Sequence, residues 1–188
     1  MNKKTIVAIG ATALLGLSSL SVVEIPNVST TNIVYAATTS TQKTALKKAK
    51  SYYKTMNMSK QGIYDQLTSD FDQFSEEDAQ YAVDNLKANY KKAALKKAKS
   101  YYKTMNMSKQ GIYDQLTSDS GERFTPEEAQ YAIDKAKLDY NKAALKKAKS
   151  YQDTMAMSPD AIYDQLTSDS GERFTAEEAQ YAIDNLNS

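Results

Sequence analysis

The sequence contains no cysteine and no histidine among its 188 residues, and these absences exclude several classes of function. Without cysteine the chain has no disulfide, no thiol nucleophile and no lipid-modified cysteine. Without histidine it lacks the residue that most often serves as a general base and as a transition-metal ligand. Zinc fingers of the usual kind are excluded with them. We therefore predict that the protein is not an enzyme and uses no cofactor or metal ion.

Charged residues are also missing from residues 5–23, directly after the basic start Lys3-Lys4. A segment of small residues follows at 34–37. This order is typical of a secretory signal peptide, so we expect residues 1–36 to be a signal peptide cleaved after Ala36. A retained membrane anchor is the alternative, because the 19 uncharged residues approach the length of a bilayer span. In either case, we expect the protein to be secreted or to lie on the extracellular face of the cell envelope.

A charge excess of either sign is absent too. Removal of residues 1–36 takes away Lys3, Lys4 and Glu24, which leaves 22 basic and 22 acidic residues and a net charge of zero. Proteins that bind nucleic acids depend on many uncompensated contacts with phosphates. We therefore expect no nucleic acid among the partners.

What the chain does contain is one block written three times. The octapeptide Ile-Tyr-Asp-Gln-Leu-Thr-Ser-Asp, for example, occurs once in each copy. Such arrays present one small surface several times and rarely build a single catalytic pocket. We predict a binding protein whose repeats follow a polar tether at residues 37–43 and occupy residues 44–88, 93–138 and 143–187.

The second repeat shows the signals of its first two helices clearly. Leu95, Ala98, Tyr102 and Met105 form an apolar stripe with helical spacing. Ser108 then has the character of an N-cap, which predicts the start of a second, shorter helix.

A third helix is predicted after a short loop. Gly121 is placed to provide the left-handed turn at the end of the second helix. Thr125 is the predicted N-cap of the third helix, Pro126 its first residue, and Glu128 the partner of Thr125 in a capping box. The predicted fold is therefore all-α, with three tandem helix-turn-helix repeats of three helices each.

Glycine and proline are absent from residues 76–105, and no residue of either type follows Pro126 as far as residue 155. We therefore expect the last helix of one repeat to continue into the first helix of the next, as a shared helix of about 30 residues and about 45 Å. The apolar stripes of its two halves point roughly 80–130° apart around the axis. This offset predicts three small cores joined by long shared helices, not one merged core.

Acidic and basic residues are separated within each repeat. Lysines crowd the first helix, and carboxylates crowd the second and third helices. A repeated acidic face would let weak contacts with a basic protein partner gain avidity. The candidate partner-binding residues are Asp119, Glu122, Glu127, Glu128, Asp169, Glu172, Glu177 and Glu178.

Other interpretations of the charge pattern stay open. A solvated surface without a binding role would have the same pattern. Alternatively, the lysine-rich helices hold the protein to anionic polymers or lipid head groups, as in a wall- or envelope-associated structural or adhesion protein. The first repeat lacks the glycine of the acidic loop and is one residue shorter there, so we expect it to bind differently from the other two.

Segments 94–101, 107–116 and 124–133 of the second repeat resemble the repeat of the host cell surface-exposed lipoprotein (Ltp) family. The resemblance extends over residues 44–187. It implies tandem helix-turn-helix units joined by a long helix. Members of the family include superinfection-exclusion lipoproteins that block DNA entry of an incoming phage, so it also implies a phage tail protein or an injected phage protein as partner. Unlike those members, this chain has three repeats and no cysteine for lipid attachment.

Overall fold

The computed structural model describes residues 38–187. In this range the chain forms nine α-helices, three in each repeat, which confirms the all-α class and the threefold repetition. The predicted signal peptide at residues 1–36 lies outside the described residues. The helices are α1 Ser40–Met56, α2 Lys60–Thr68, α3 Glu76–Asn85, α4 Tyr90–Met105, α5 Lys109–Thr117, α6 Pro126–Ala136, α7 Tyr140–Met155, α8 Pro159–Thr167 and α9 Ala176–Asp184.

The predicted helix starts are confirmed. The Ser108 hydroxyl accepts a hydrogen bond from the backbone N–H of Gly111 at the start of α5. Thr125 and Glu128 form a reciprocal capping box at the start of α6, with Pro126 as the first helical residue. These contacts satisfy backbone N–H groups that have no partner within the helix.

The first helix begins earlier than predicted. Thr39 and Gln42 form a capping box that fixes the first turn, and α1 starts at Ser40. The predicted tether at residues 37–43 is therefore wrong from residue 40 onward.

Each repeat has its own buried core, as predicted. In the second repeat, Ala94 and Ala98 of α4 belong to the same cluster as Ala129 of α6. Small side chains allow the first and third helices to lie close together, and these two helices make the most extensive contacts within each repeat. Ile112 and Leu116 of α5 are fully buried against them.

The apolar stripe of α4 extends less far than predicted. Met105, the last member of the predicted stripe, is 51% exposed, so the buried part of the stripe does not include it. It is the last residue of the helix, and the chain turns at Asn106, which adopts a left-handed conformation with φ 49°. The core ends one turn earlier, where Tyr102 packs partly buried against it.

The long shared helices are not formed, and this prediction is wrong. α3 ends at Asn85 and α4 begins at Tyr90, while α6 ends at Ala136 and α7 begins at Tyr140. The two apolar stripes point in different directions, so one straight helix could not bury each of them in its own core. An interruption of the helix between the stripes lets each half face its own core.

Polar contacts stabilise each break between helices, at residues 86–89 and 137–139. The Asn89 side chain accepts a hydrogen bond from Lys92 N–H at 2.9 Å and caps α4. The Tyr53 hydroxyl accepts from Asn89 N–H at 3.1 Å and donates to the Asn89 carbonyl at 3.3 Å. At the second break, the Tyr102 hydroxyl donates to the Asp139 carbonyl at 3.0 Å. A tyrosine from the preceding repeat therefore binds the backbone of each linker.

Gly121 has a different role from the predicted one. The left-handed residue of this loop is Arg123, with φ 54°. A Cβ atom on Gly121 would lie 2.3 Å from the Gln115 carbonyl oxygen and 2.5 Å from the Ser118 hydroxyl. Glycine is therefore needed here for close approach of the backbone.

Hydrogen bonds from buried serines join neighbouring repeats. The Ser59 hydroxyl donates to the Glu122 carbonyl at 2.6 Å, and the Ser108 hydroxyl donates to the Glu172 carbonyl at 2.5 Å. Both serines also cap their own helices and are 1% exposed. Ser158 caps α8 in the same way, but no loop covers it within residues 38–187, and it is exposed.

This difference generates a test of the junction. Ser108→Ala loses an N-cap and an inter-repeat hydrogen bond, so the free energy of unfolding should fall by about 2 kcal/mol. Ser158→Ala loses only the cap and should cost about 1 kcal/mol. Urea unfolding followed by circular dichroism measures both. Equal losses would show that the inter-repeat hydrogen bond adds no stability.

Candidate functional site

The structure forms two equivalent grooves, one at each junction between repeats. The groove between the first and second repeats has a volume of about 400 Å³, and that between the second and third has about 320 Å³. The first is lined by Lys60, Gln61, Tyr64, Gln80, Val83, Arg123, Thr125 and Glu128. The second is lined by Lys109, Gln110, Tyr113, Gln130, Ile133, Arg173, Thr175 and Glu178.

An arginine from the later repeat forms part of each groove. The Arg123 guanidinium donates to the Asp65 carboxylate of the first repeat, and Arg173 donates to Asp114 of the second. All four side chains keep 36–38% of their surface exposed. Solvent weakens ion pairs of this kind, so we assign them mainly to fixing how the repeats align.

Other polar side chains of the first groove are held by carboxylates at its edge. Lys60 forms an ion pair with Asp84 at 2.6 Å, and Gln80 donates to the same carboxylate at 2.8 Å. Gln61 donates to Asp65 at 2.9 Å. The groove is therefore a polar surface with fixed donors and acceptors, to which Val83 adds an apolar part.

Two of the predicted site residues serve the interior of their own repeats. The Glu122 carboxylate accepts from Lys97 at 2.7 Å and from the Tyr101 hydroxyl. Glu172 accepts from Lys147 at 2.7 Å and from Tyr151 at 2.5 Å.

These contacts occupy the two carboxylates. Their side chains are only 14% and 17% exposed, respectively. Both residues anchor the loop that reaches the preceding repeat, and neither offers a free carboxylate to a partner.

Two more predicted residues cap helices at the grooves. Glu128 accepts from Thr125 N–H at 3.0 Å, and Glu178 accepts from Thr175 N–H at 3.0 Å. Each lines one of the grooves. They are half-buried, so a ligand in the groove would meet them while they remain in the capping box.

The other four predicted residues lie on the open surface. The side chains of Asp119 and Asp169 are fully exposed, 3.8 and 3.9 Å from the arginine four residues later. Glu127 is exposed and forms an ion pair with Lys91 at 2.6 Å. Glu177 is exposed. Their role in partner binding stays a prediction.

The first repeat carries a different loop. Asp72 takes the place of Glu122 and accepts hydrogen bonds from Lys48 and Tyr52. Burial would raise the pKa of Asp72, but these hydrogen bonds hold it below its usual value. Phe71 is 82% exposed, and Gln73 takes the left-handed position that Arg123 has in the second repeat.

Within residues 38–187, no group of carboxylates is arranged to hold a metal ion. In the same range, no helix has both the length and the apolar character of a membrane span.

Our sequence reasoning missed the junctions. Their signal is present but faint: the chain has only two arginines, one in the acidic loop of the second repeat and one in that of the third. The first repeat, whose loop meets no preceding repeat in the described residues, has none. This distribution pointed to a contact between repeats.

Comparison with known proteins connects this architecture to a family. The model of the host cell surface-exposed lipoprotein family matches residues 40–86, 89–135 and 139–186. Among solved structures, the chain is similar to Ltp, a superinfection exclusion protein from the Streptococcus thermophilus temperate phage TP-J34. The identity is 47%, the match covers 52% of this chain and 95% of that chain, and the TM-score is 0.47. No curated protein sequence matches the chain.

The hydrogen bond from Tyr151 to Glu172, which anchors the loop of the third repeat, can be tested at high pH. Burial and the hydrogen bond to the Glu172 carboxylate raise the pKa of Tyr151 to about 12. Unfolded tyrosine ionises near pH 10, so the unfolded state loses its proton first and stability falls between about pH 10 and 12. Tyr151→Phe removes this contribution, and its unfolding free energy should fall less steeply over that interval.

Urea unfolding at several pH values from 9 to 12 measures this dependence, with the exposed Tyr181→Phe as the matched variant. If Tyr151→Phe and the unaltered protein show the same dependence on pH, the anchor is not the source of the effect.

Proposed function

Because the chain belongs to the host cell surface-exposed lipoprotein family, we propose that it is an exported, surface-associated protein-binding module that confers superinfection exclusion. The observation that carries the proposal is the match of the family model to each of the three repeats. The family is non-enzymatic. Ltp of phage TP-J34 is a superinfection exclusion protein, and the proposal extends that activity to this chain.

The partner in this proposal is a basic phage protein, either from the tail or injected with the DNA. Exposed carboxylates at equivalent positions of the second and third repeats, Asp119 with Glu127 and Asp169 with Glu177, supply the complementary charge. Because the repeats are held in a fixed array, several individually weak contacts can form at the same time and raise the overall affinity. Retention of the phage protein at the cell surface then stops the DNA from entering.

Phage challenge tests this function. A phage-sensitive host that expresses the protein should adsorb phage normally but should not take up phage DNA. Adsorption is measured from free phage in the medium, and DNA entry from phage sequences inside the cells. Unimpaired DNA entry, with the protein present at the surface, would exclude this function.

Charge reversal identifies the repeats that bind. We expect Asp119→Lys with Glu127→Lys, and Asp169→Lys with Glu177→Lys, each to weaken protection by about tenfold or more, because avidity multiplies the contacts. Efficiency of plaquing measures protection. These variants leave Glu122, Glu172, Glu128 and Glu178 intact, so the loop anchors and capping boxes remain.

The first repeat provides the matched control. Asp70→Lys with Glu77→Lys makes the same change of charge at the equivalent exposed positions. Because the loop of the first repeat differs, this variant should keep full protection. Equal loss in all three pairs would point to total charge as the cause, and no loss in any pair would remove the exposed acidic residues from the site.

A second function, association with anionic polymers of the envelope, is favoured by a lysine stripe. Lys96, Lys99 and Lys103 are exposed on α4 at intervals of three and four residues, which puts them on one face of the helix. Within residues 38–187 they form no ion pair. Lys47, Lys50 and Lys54 repeat the stripe on α1.

Salt distinguishes this function from protein binding, since it screens exposed charges. If the stripe holds the protein to the envelope, moderate salt should release it from intact cells. Replacement of Lys96, Lys99 and Lys103 by glutamine should lower the salt concentration required, as followed by immunoblots of the wash. The control replaces Lys87, Lys109 and Lys135, which removes the same charge outside the stripe. Release that is the same for all three proteins would contradict the envelope function.

A further inference from the structure

The third repeat keeps the serine and aspartate side chains through which each of the first two repeats contacts the repeat that follows it. Asp65 and Asp114 each bind an arginine of the following repeat. Ser59 and Ser108 each donate to the carbonyl of the residue before that arginine. The equivalent groups of the third repeat are Asp164 and Ser158, and nothing in residues 38–187 covers them.

Exposure shows that residues 38–187 leave this surface open. Ser59 and Ser108 are 1% exposed, whereas Ser158 is exposed. Val83 and Ile133, at the equivalent groove position in the first two repeats, are buried, whereas Ile183 is half-buried. The Asp164 carboxylate has no hydrogen bond or ion pair with any residue in the range 38–187.

This surface carries more negative charge than the equivalent surfaces at the two junctions. Pro159 replaces a lysine at the start of the second helix of the repeat, and Asp160 replaces a glutamine. Both changes make the surface more negative. Asp184, which corresponds to the Lys60 partner Asp84, accepts from Gln180 at 2.7 Å and has no basic partner in the described residues. The surface therefore favours a basic occupant.

The surface also leaves room for an approaching backbone. A Cβ atom on Gly62 or Gly111 would lie 3.6 or 3.7 Å from the incoming carbonyl oxygen, which is ordinary contact. Ala161 stands at this position in the third repeat, so its methyl group still permits a loop to approach.

We infer that Ser158, Asp160, Tyr163, Asp164 and Ile183 form an open face that docks an arginine-bearing loop of another protein. Ser158 donates to a loop carbonyl, and Asp164 binds the guanidinium of the next residue, as their equivalents do at both junctions. This inference does not rest on superinfection exclusion, because it concerns a contact that can be measured without phage.

A second copy of this chain does not have the required loop free. Arg123 and Arg173 are both engaged with the repeat that precedes them. The loop of the first repeat, which meets no preceding repeat in the described residues, has Gln73 in the arginine position and the exposed Phe71 two residues before it. The open face therefore points to a different protein, and the unaltered chain should not associate with itself through this face.

The chain itself provides a probe of known chemistry. In the probe, residues 71–73 are replaced by Ser-Gly-Glu-Arg, the sequence of the second-repeat loop, which gives the first repeat a free arginine loop. The unlabelled probe is titrated to millimolar concentration into the ¹⁵N-labelled unaltered protein. We expect amide shifts concentrated in residues 158–164, at least fivefold smaller in labelled Asp164→Asn. The unlabelled unaltered chain, with Gln73, should cause none.

A second probe does not depend on the folding of the altered chain. The capped peptide acetyl-Ser-Gly-Glu-Arg-Phe-amide should shift the same amides, and its glutamine-for-arginine version should not. The inference is overturned if neither probe shifts residues 158–164 at millimolar concentration, or if the shifts are unchanged in Asp164→Asn.

Discussion

The array depends on one hydroxyl group at each junction between repeats. The Ser59 oxygen accepts a hydrogen bond from Gly62 N–H and caps its own helix, while its hydrogen is donated to the Glu122 carbonyl of the next repeat. Ser108 repeats both contacts with Gly111 and Glu172. In a buried position, a hydroxyl without partners is costly. Helix capping and repeat docking are therefore satisfied together, and the contact fixes the distance from one repeat to the next.

The carbonyls that these serines bind are held in place from the other side. The Glu122 side chain accepts hydrogen bonds from Lys97 and Tyr101 of its own repeat. The loop therefore cannot move without breaking charge-assisted hydrogen bonds. A carboxylate that looked like a docking group in the sequence is thus part of the scaffold. The same loop places Arg123 against the preceding repeat. One loop therefore contributes both to the scaffold and to the wall of the groove.

Local signals in the sequence predicted the parts of the fold that depend on neighbouring residues. The caps at Ser108 and Thr125, the capping box with Glu128 and the separate cores follow from spacing alone. The interruptions of the helices between repeats could not be predicted from spacing, because the Tyr53 hydroxyl that binds the linker at Asn89 comes from 36 residues earlier. Contacts across the junctions join residues 58–64 positions apart. Helical periodicity carries no information about them, although the restriction of arginine to two loops does.

The broken linkers and the serine contacts have a consequence for binding by a repeated surface. Avidity is greatest when the sites are held at the spacing that the partner presents, because little conformational entropy is then lost on the second contact. A continuous helix would fix that spacing through the stiffness of the helix. Here it is fixed by side chains, through Tyr53 at one linker and Tyr102 at the other, together with one serine and one arginine at each junction. Substitutions at these positions can therefore change the geometry of the binding surface without altering any residue exposed on it.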